Sequence, residues 1–244
     1  MAKQAHLRVS ETDVHDIVLL PGDPGRVDRI AHHCDSSELI AENREYRIVN
    51  ASYSGVDLTI CSTGIGSPSA AIAIEELSRI GVTTVIRVGT TGALQAHVEI
   101  GDMVVPTAAA KDEGTTRRYE LDTVPAVPDF TVLSAIVDAA NARGEIVHIG
   151  PITTDDAYYA ETEEYVAAWE AAKLLAVEME AAAVFTLARR NGLRSGAICT
   201  VDGNLVLGTQ KGVSDVDELP DKAKDNIARA IDIALDAAVS LDES

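Results

Sequence analysis

Three observations predict an α/β fold for this chain, specifically a three-layer α/β/α sandwich with a central mixed sheet. Short runs rich in Val, Ile and Thr alternate with longer segments of helical period, and glycines stand where those helices should stop. Two strand ends also break into glycine and arginine. In sheets of this kind a ligand sits outside the carboxyl ends of the strands.

Ile17 to Leu20 is unbroken and apolar, as a strand buried on both faces requires. Pro21-Gly22-Asp23-Pro24-Gly25-Arg26 ends it ahead of a helical-looking segment, residues 27–33. Further strands are expected at residues 46–53, 58–62, 84–88, 103–106, 146–149 and 197–201, where β-branched residues concentrate. Helical periodicity marks residues 68–80, 130–142, 161–173, 179–190 and 221–241, with Gly81, Gly144 and Gly192 at C-terminal stop positions. The last helix is small and apolar on one face, through Ile227, Ile231, Ala234 and Ala238, and acidic on the other, which reads as a packed surface helix.

No linker or change of composition divides the 244 residues, so one domain over residues 1–244 is expected. Hydrophobic residues at 46% can fill a large core, and no 18-residue apolar run offers a membrane span. The polar N-terminal segment carries no apolar signal stretch, so a cytoplasmic protein is expected. Cys34, Cys61 and Cys199 are far apart, and no His/Cys/Asp cluster has zinc spacing, so neither a disulfide framework nor a metal is expected.

The formal net charge of −19 excludes general affinity for nucleic acid phosphates. Only six of the 20 basic residues are lysine, and an acidic, lysine-poor surface fits a solvent rich in salt, where self-repulsion is screened within a few ångströms. A halophilic source is the leading explanation.

Candidate chemistry begins at Ile86-Arg87-Val88-Gly89-Thr90-Thr91-Gly92-Ala93, where a buried strand delivers an arginine and glycine N–H groups to one place. The Gly22–Arg26 unit repeats that design, and two such ends can converge on a single phosphate. Cys61-Ser62-Thr63-Gly64-Ile65-Gly66-Ser67-Pro68-Ser69 is a glycine-rich strand-to-helix turn that can approach a small ligand or a neighbouring subunit. In Val177-Glu178-Met179-Glu180, paired carboxylates suit the vicinal hydroxyls of a ribose, and a thioether can pack beneath the sugar.

Taken in order with Arg44-Glu45-Tyr46, these motifs closely resemble the nucleoside phosphorylases of the uridine phosphorylase and hexameric purine nucleoside phosphorylase type, over nearly the whole chain. The resemblance implies phosphorolysis of a ribonucleoside to free base and ribose 1-phosphate, a pentosyltransferase reaction. It assigns Gly22, Arg26, Arg87 and Thr90 to phosphate, with Arg44 lent by the adjacent subunit. Glu178, Met179 and Glu180 line the ribose site in this reading, and His6 reaches across a dimer to the 5′-hydroxyl. No organic cofactor is implied; a monovalent cation near Glu45, Ile65 and Ser69 is. The active unit is a dimer, with a hexamer as the usual assembly.

Base recognition departs from the relatives. The resemblance implies that Thr91, Gly92 and Tyr158 fall in the base site, and it matches Thr162 and Glu164 to the positions where uridine phosphorylases carry a Gln and an Arg. A carboxylate would repel the uracil carbonyls but accept from the N1–H and amine of guanine, so Glu164 favours a 6-oxopurine. Asp202 is the candidate general acid at N7, one position early against purine-type relatives; an Asp-Gly turn at a strand end is an equal reading. Asn204 fits the Asn that uridine-type relatives place here, without the Arg that follows it. A nucleosidase that uses water, and a binding protein without catalysis, remain the rival functions.

Overall fold

The computed structural model describes residues 3–209 and 220–242. Among the described residues, nine strands and six α-helices form a mixed sheet clad on both faces, the three-layer arrangement expected. The strands are β1 (Ile17–Leu20), β2 (Ser36–Asn43), β3 (Tyr46–Tyr53), β4 (Val56–Cys61), β5 (Thr84–Ala93), β6 (Met103–Asp112), β7 (Val147–Asp155), β8 (Ala176–Glu178) and β9 (Arg194–Asn204). The helices are α1 (Pro24–His32), α2 (Ser67–Ser78), α3 (Phe130–Ala142), α4 (Glu163–Ala171), α5 (Ala181–Arg190) and α6 (Asp221–Asp242).

The sheet runs β2-β3-β4-β1-β5-β8-β7-β6-β9, and β9 also pairs in parallel with β5. Strands β5, β8, β7, β6 and β9 therefore close on themselves, while β2, β3, β4 and β1 extend from the ring as an open wing. Closure requires long, coiled strands, which explains why β5, β6, β7 and β9 outrun the apolar stretches visible in sequence. The three residues of β8 complete the ring by pairing antiparallel to β5 and parallel to β7.

Alternation sorts the core into two. Val18 and Leu20 of β1, Val85 of β5 and Val201 of β9 pack beneath α2 and α5, whereas Ile17, Leu19, Ile86 and Ile198 pack beneath α1, α3 and α6. Helix boundaries follow their caps. Asp23 accepts from the Gly25 amide ahead of α1, with Pro24 in its first turn, and Asp129 accepts from the Thr131 and Val132 amides ahead of α3. Gly81, Gly144 and Gly192 have φ values of 90°, 70° and 77°, as their stop positions require.

Strand β2 escapes sequence reading because it is a polar edge strand, exposed along most of its length and bulged between Leu39 and Ala41. All three cysteines are free; Cys61 and Cys199 are buried, and desolvation pushes both thiols up to about 12, so they are inert. Among the described residues no helix is long and apolar enough to cross a membrane.

At Gly196 in β9 an added Cβ would lie 2.6 Å from Val132 Cγ1 and 3.0 Å from Ile136 Cδ1 of α3. The Gly196→Ala variant is expected to lose about 1–3 kcal/mol of stability from overpacking, read as a lower urea midpoint at constant salt.

Candidate active site

Strands β1 and β5 are parallel neighbours with Leu20 opposite Arg87, so the two glycine/arginine units end side by side. A cavity of about 850 Å³ opens there, walled by the β1–α1 turn, the Gly64–Gly66 loop, β5, β8 and the start of α5. Of the residues singled out in sequence, Gly22, Arg26, Arg87, Thr90, Thr91, Gly92, Tyr158, Glu178, Met179, Glu180 and Asp202 all line it.

A buried ion triad holds the centre. Arg87 Nε donates to Glu178 Oε2 at 2.8 Å and its Nη2 meets Glu180 Oε2 at 2.5 Å, with all three side chains almost wholly buried. Burial alone would lower the guanidinium pKa, but Glu180 and Glu178 outweigh it and raise it. Close packing fixes this seat: a Cβ on Gly89 would stand 2.9 Å from Arg87 Nη2 and 3.1 Å from Cys199 Sγ.

The two carboxylates are not equivalent. Glu178 accepts from Thr154 Oγ1 at 2.6 Å, from Arg87 and from the Glu180 and Ala181 amides at the start of α5. A carboxylate has about four acceptor positions, and these donors fill them. Glu178 thus lines the cavity while its oxygens are spent on Arg87 and on capping α5. Glu180 takes one donor on each oxygen, the Gly66 amide at 2.5 Å on Oε1 and Arg87 on Oε2. One acceptor position on each oxygen remains, the number a vicinal diol needs. Burial raises the pKa of Glu180 despite Arg87, so further hydroxyl donors would stabilise its charged form.

At the other end, Arg26 is buried, donates through Nη1 to the Val88 carbonyl at 3.4 Å and leaves its buried Nε without a partner. Burial first and the Arg87 charge second lower its pKa, the mark of a cation that lacks its counter-ion. Arg29, one turn further along α1, also lines the cavity with a buried, unpartnered Nη1. Sequence reasoning missed Arg29, although the i,i+3 spacing from Arg26 was the available signal.

The base end is framed by Gly92, Tyr158 and Asp202. In the β5–β9 ladder Thr91 faces Val201 and Gly92 faces Gly203, so Asp202 is the extra residue of a bulge that re-aims its side chain to the cavity wall. Burial and then the Asp202 charge raise the Tyr158 phenol pKa. Thr91 Oγ1 donates to the Val177 carbonyl at 2.7 Å and ties β8 to β5. Asn204 is structural: its Nδ2 donates to Gln95 and Val98 carbonyls at 3.0 and 2.9 Å and its Oδ1 accepts from the Leu207 amide at 3.0 Å, so it serves no base site.

Four expected residues stand away from this cavity. Thr162 caps α4 and Glu164 occupies that helix's exposed first turn, because the helix starts two residues later than its periodicity implies. Glu164 is not among the residues that line the cavity, so its position adds no support to a preference for purine. Arg44 is exposed on the β2–β3 turn with φ 57°. His6 is tied to α2, its Nδ1 2.7 Å from Glu76 Oε1 and its amide bound by the same carboxylate. Glu45, Ile65 and Ser69 gather at the cavity edge, with Ser69 Oγ donating to Glu45 Oε1 at 3.0 Å and Ile65 78% exposed.

Unpaired guanidinium nitrogens beside a half-satisfied carboxylate, at strand ends of a doubly clad sheet, suit a site that takes an anion together with a hydroxyl-bearing ligand. The sequence profile of the phosphorylase superfamily matches residues 16–240, and the chain belongs to that family as a nucleoside phosphorylase, a pentosyltransferase. It is 66% identical to the guanosine phosphorylase of Halorubrum lacusprofundi over 241 residues, 99% of this chain and 100% of that one. It is 42% identical to the uridine phosphorylase of Thermococcus kodakarensis over 216 residues, 83% and 78% of the two chains. Among solved structures, purine nucleoside phosphorylase of Toxoplasma gondii in complex with immucillin-H superposes with a TM-score of 0.91 at 30% identity, covering 100% of this chain and 98% of that one. Uridine phosphorylase of Vibrio fischeri gives 0.91 at 35% identity, covering 98% and 97%.

Replacing Arg87 by Gln would leave Glu178 and Glu180 buried without a counter-charge. The variant is expected to lose about 3–5 kcal/mol of stability, measured by urea unfolding at molar salt.

Proposed function

We propose that this enzyme cleaves 6-oxopurine ribonucleosides, guanosine foremost, and that Asp202 is the acid that protonates the leaving base at N7. The observation that carries this reading is the β9 bulge, which brings a carboxyl side chain to the cavity wall beside Gly92 and Tyr158. A purine accepts a proton at N7 as it leaves, whereas uracil leaves with its charge on the ring carbonyls. The halophile relative named guanosine phosphorylase supports the same choice.

Phosphate rests against Gly22, Arg26, Arg87 and Thr90, where charge-assisted donors place an oxygen beneath C1′ without neutralising it covalently. Positioning of this kind is worth roughly 7–11 kcal/mol of barrier. Glu180 accepts the 2′ and 3′ hydroxyls, and Met179 packs against the sugar. As the C1′–N9 bond breaks, its electron pair passes to the base, Asp202 delivers a proton to N7, and the anion below stabilises the oxocarbenium-like sugar. The phosphate oxygen then bonds to C1′, and the proton shed by the phosphate hydroxyl returns the acid to its starting state.

In this reading two chains complete each site. Arg44 and His6 stand on the surface of their own protomer and are lent to the partner's cavity in an isologous dimer, three of which make a hexamer. The carboxylate of Glu45, the hydroxyl of Ser69 and the backbone at Ile65 offer the hard oxygen donors that a monovalent cation requires. Sedimentation in molar salt tests the assembly.

The decisive assay is base release from guanosine, inosine, adenosine, uridine and thymidine, with and without phosphate, at high salt. Guanosine and inosine are expected to lead and to require phosphate; equal rates in phosphate-free buffer would make the enzyme a nucleosidase. Asp202→Asn is expected to lower guanosine kcat by about 10²–10⁴-fold, the usual weight of a general acid.

A further inference from the structure

We propose that Arg29 is a direct phosphate ligand, supplying the second unpaired guanidinium that lets this cavity hold a doubly charged anion. The proposal rests on the phosphorolytic reading and names a residue which that reading does not include.

Charge makes the case first. The cavity wall holds three arginines, Arg26, Arg29 and Arg87, against five carboxylates, those of Asp23, Glu45, Glu178, Glu180 and Asp202. Its electrostatic environment is adverse to a dianion, and each unneutralised guanidinium matters. Arg87 is not one of them, because its Nε and Nη2 face Glu178 and Glu180. Asp23 is turned to capping α1 through the Gly25 amide. Asp28, the acid nearest Arg29 in sequence, is taken by Arg47, whose Nη2 lies 2.9 Å from its Oδ1. Among the described residues no carboxylate pairs with Arg26 or with Arg29.

Geometry is the second support. Arg26 and Arg29 are three residues apart on α1, hence on one face of the helix, and both line the same cavity. Each buries a guanidinium nitrogen that has no hydrogen-bond partner, Nε of Arg26 and Nη1 of Arg29. Two adjacent guanidinium groups that border one cavity, each with a buried nitrogen unsatisfied by protein and neither held by a carboxylate, are complementary in charge to a tetrahedral dianion. The partner subunit's Arg44 would add a further positive charge to the same end.

The lever is consequential in a salt-rich solvent. Exposed charges act over only about 3 Å at molar ionic strength, so long-range attraction cannot recruit phosphate against an excess of chloride. Discrimination then depends on buried contacts that recognise two charges and several oxygens together.

The test is steady-state phosphorolysis of guanosine by the full-length enzyme at low and at molar potassium chloride, varying phosphate and nucleoside separately. Arg29→Gln is expected to raise the KM for phosphate tenfold or more at both salt concentrations, with the KM for guanosine moving less than twofold. Arg29→Lys should recover part of the loss. Arg190→Gln, an exposed charge at the end of α5, serves as the control for general electrostatics and should leave the phosphate KM alone. Titration of each protein with phosphate alone, followed calorimetrically, reads binding without turnover, and thermal melts confirm folding. An unchanged phosphate KM in Arg29→Gln, or a rise that vanishes at molar salt, overturns the proposal while leaving phosphorolysis intact. Base release that needs no phosphate in the unmodified enzyme overturns both.

Discussion

The structure turns on the buried union of Arg87 with Glu178 and Glu180. Three charges in a dry interior cost several kcal/mol apiece to desolvate, and such a cluster survives only when each member is hydrogen-bonded and fixed. Here the supports are spread over the fold. Thr154 on β7, the amides opening α5, the Gly66 amide and the close packing at Gly89 all hold some part of the triad. The short strand β8 exists to bring Glu178 and Glu180 to Arg87, and it does so by closing the ring between β5 and β7. A catalytic centre and a closed sheet are thus one construction.

That arrangement divides labour between carboxylates that look alike in sequence. Glu178 and Glu180 are two residues apart, yet one has its acceptors saturated by protein donors and the other keeps a vacancy on each oxygen. The same contrast separates the arginines. Arg87 is neutralised and immobile, whereas Arg26 and Arg29 remain open toward the cavity. In the proposed reading, the sugar end and the anion end of the cavity meet at Arg87, which touches Glu180 and lines the same cavity as Arg26.

Much of this was legible beforehand, and the reasons are specific. Ile17–Leu20 is apolar without interruption and Val85–Val88 is broken only by Arg87, because both faces of a central strand are buried, so their ends and the glycines that follow were legible. Polar β2 carried no such signal, since an edge strand exposed to water has no apolar period. The bulge at Asp202 was also invisible: one extra residue in a ladder leaves no trace in composition, and it accounts for an acid that looked a position out of place. Asn204 seemed equally eligible until its amide proved to be anchoring the loop at Gln95 and Val98. Glu164 lies in the exposed first turn of α4 behind the Thr162 cap, away from the cavity lining, a placement that matching residue by residue along the chain does not reveal. Arg29 was overlooked because a helical arginine is ordinarily solvated; its spacing from Arg26 hinted at the cavity, and its one buried, unpartnered nitrogen sets it apart.

The order of residues on β5 has an evolutionary corollary. Arg87, Thr90, Thr91 and Gly92 line the cavity one after another along a single stretch whose neighbours on both sides are hydrogen-bonded to it. A deletion there would invert every side chain at once, so descent can alter this strand hardly at all. Other parts of the cavity wall belong instead to the β9 bulge and to the exposed segment around Tyr159, which tolerate change cheaply. Lineages sharing this scaffold can therefore exchange one nucleobase for another while inheriting the sugar-cleaving chemistry unaltered.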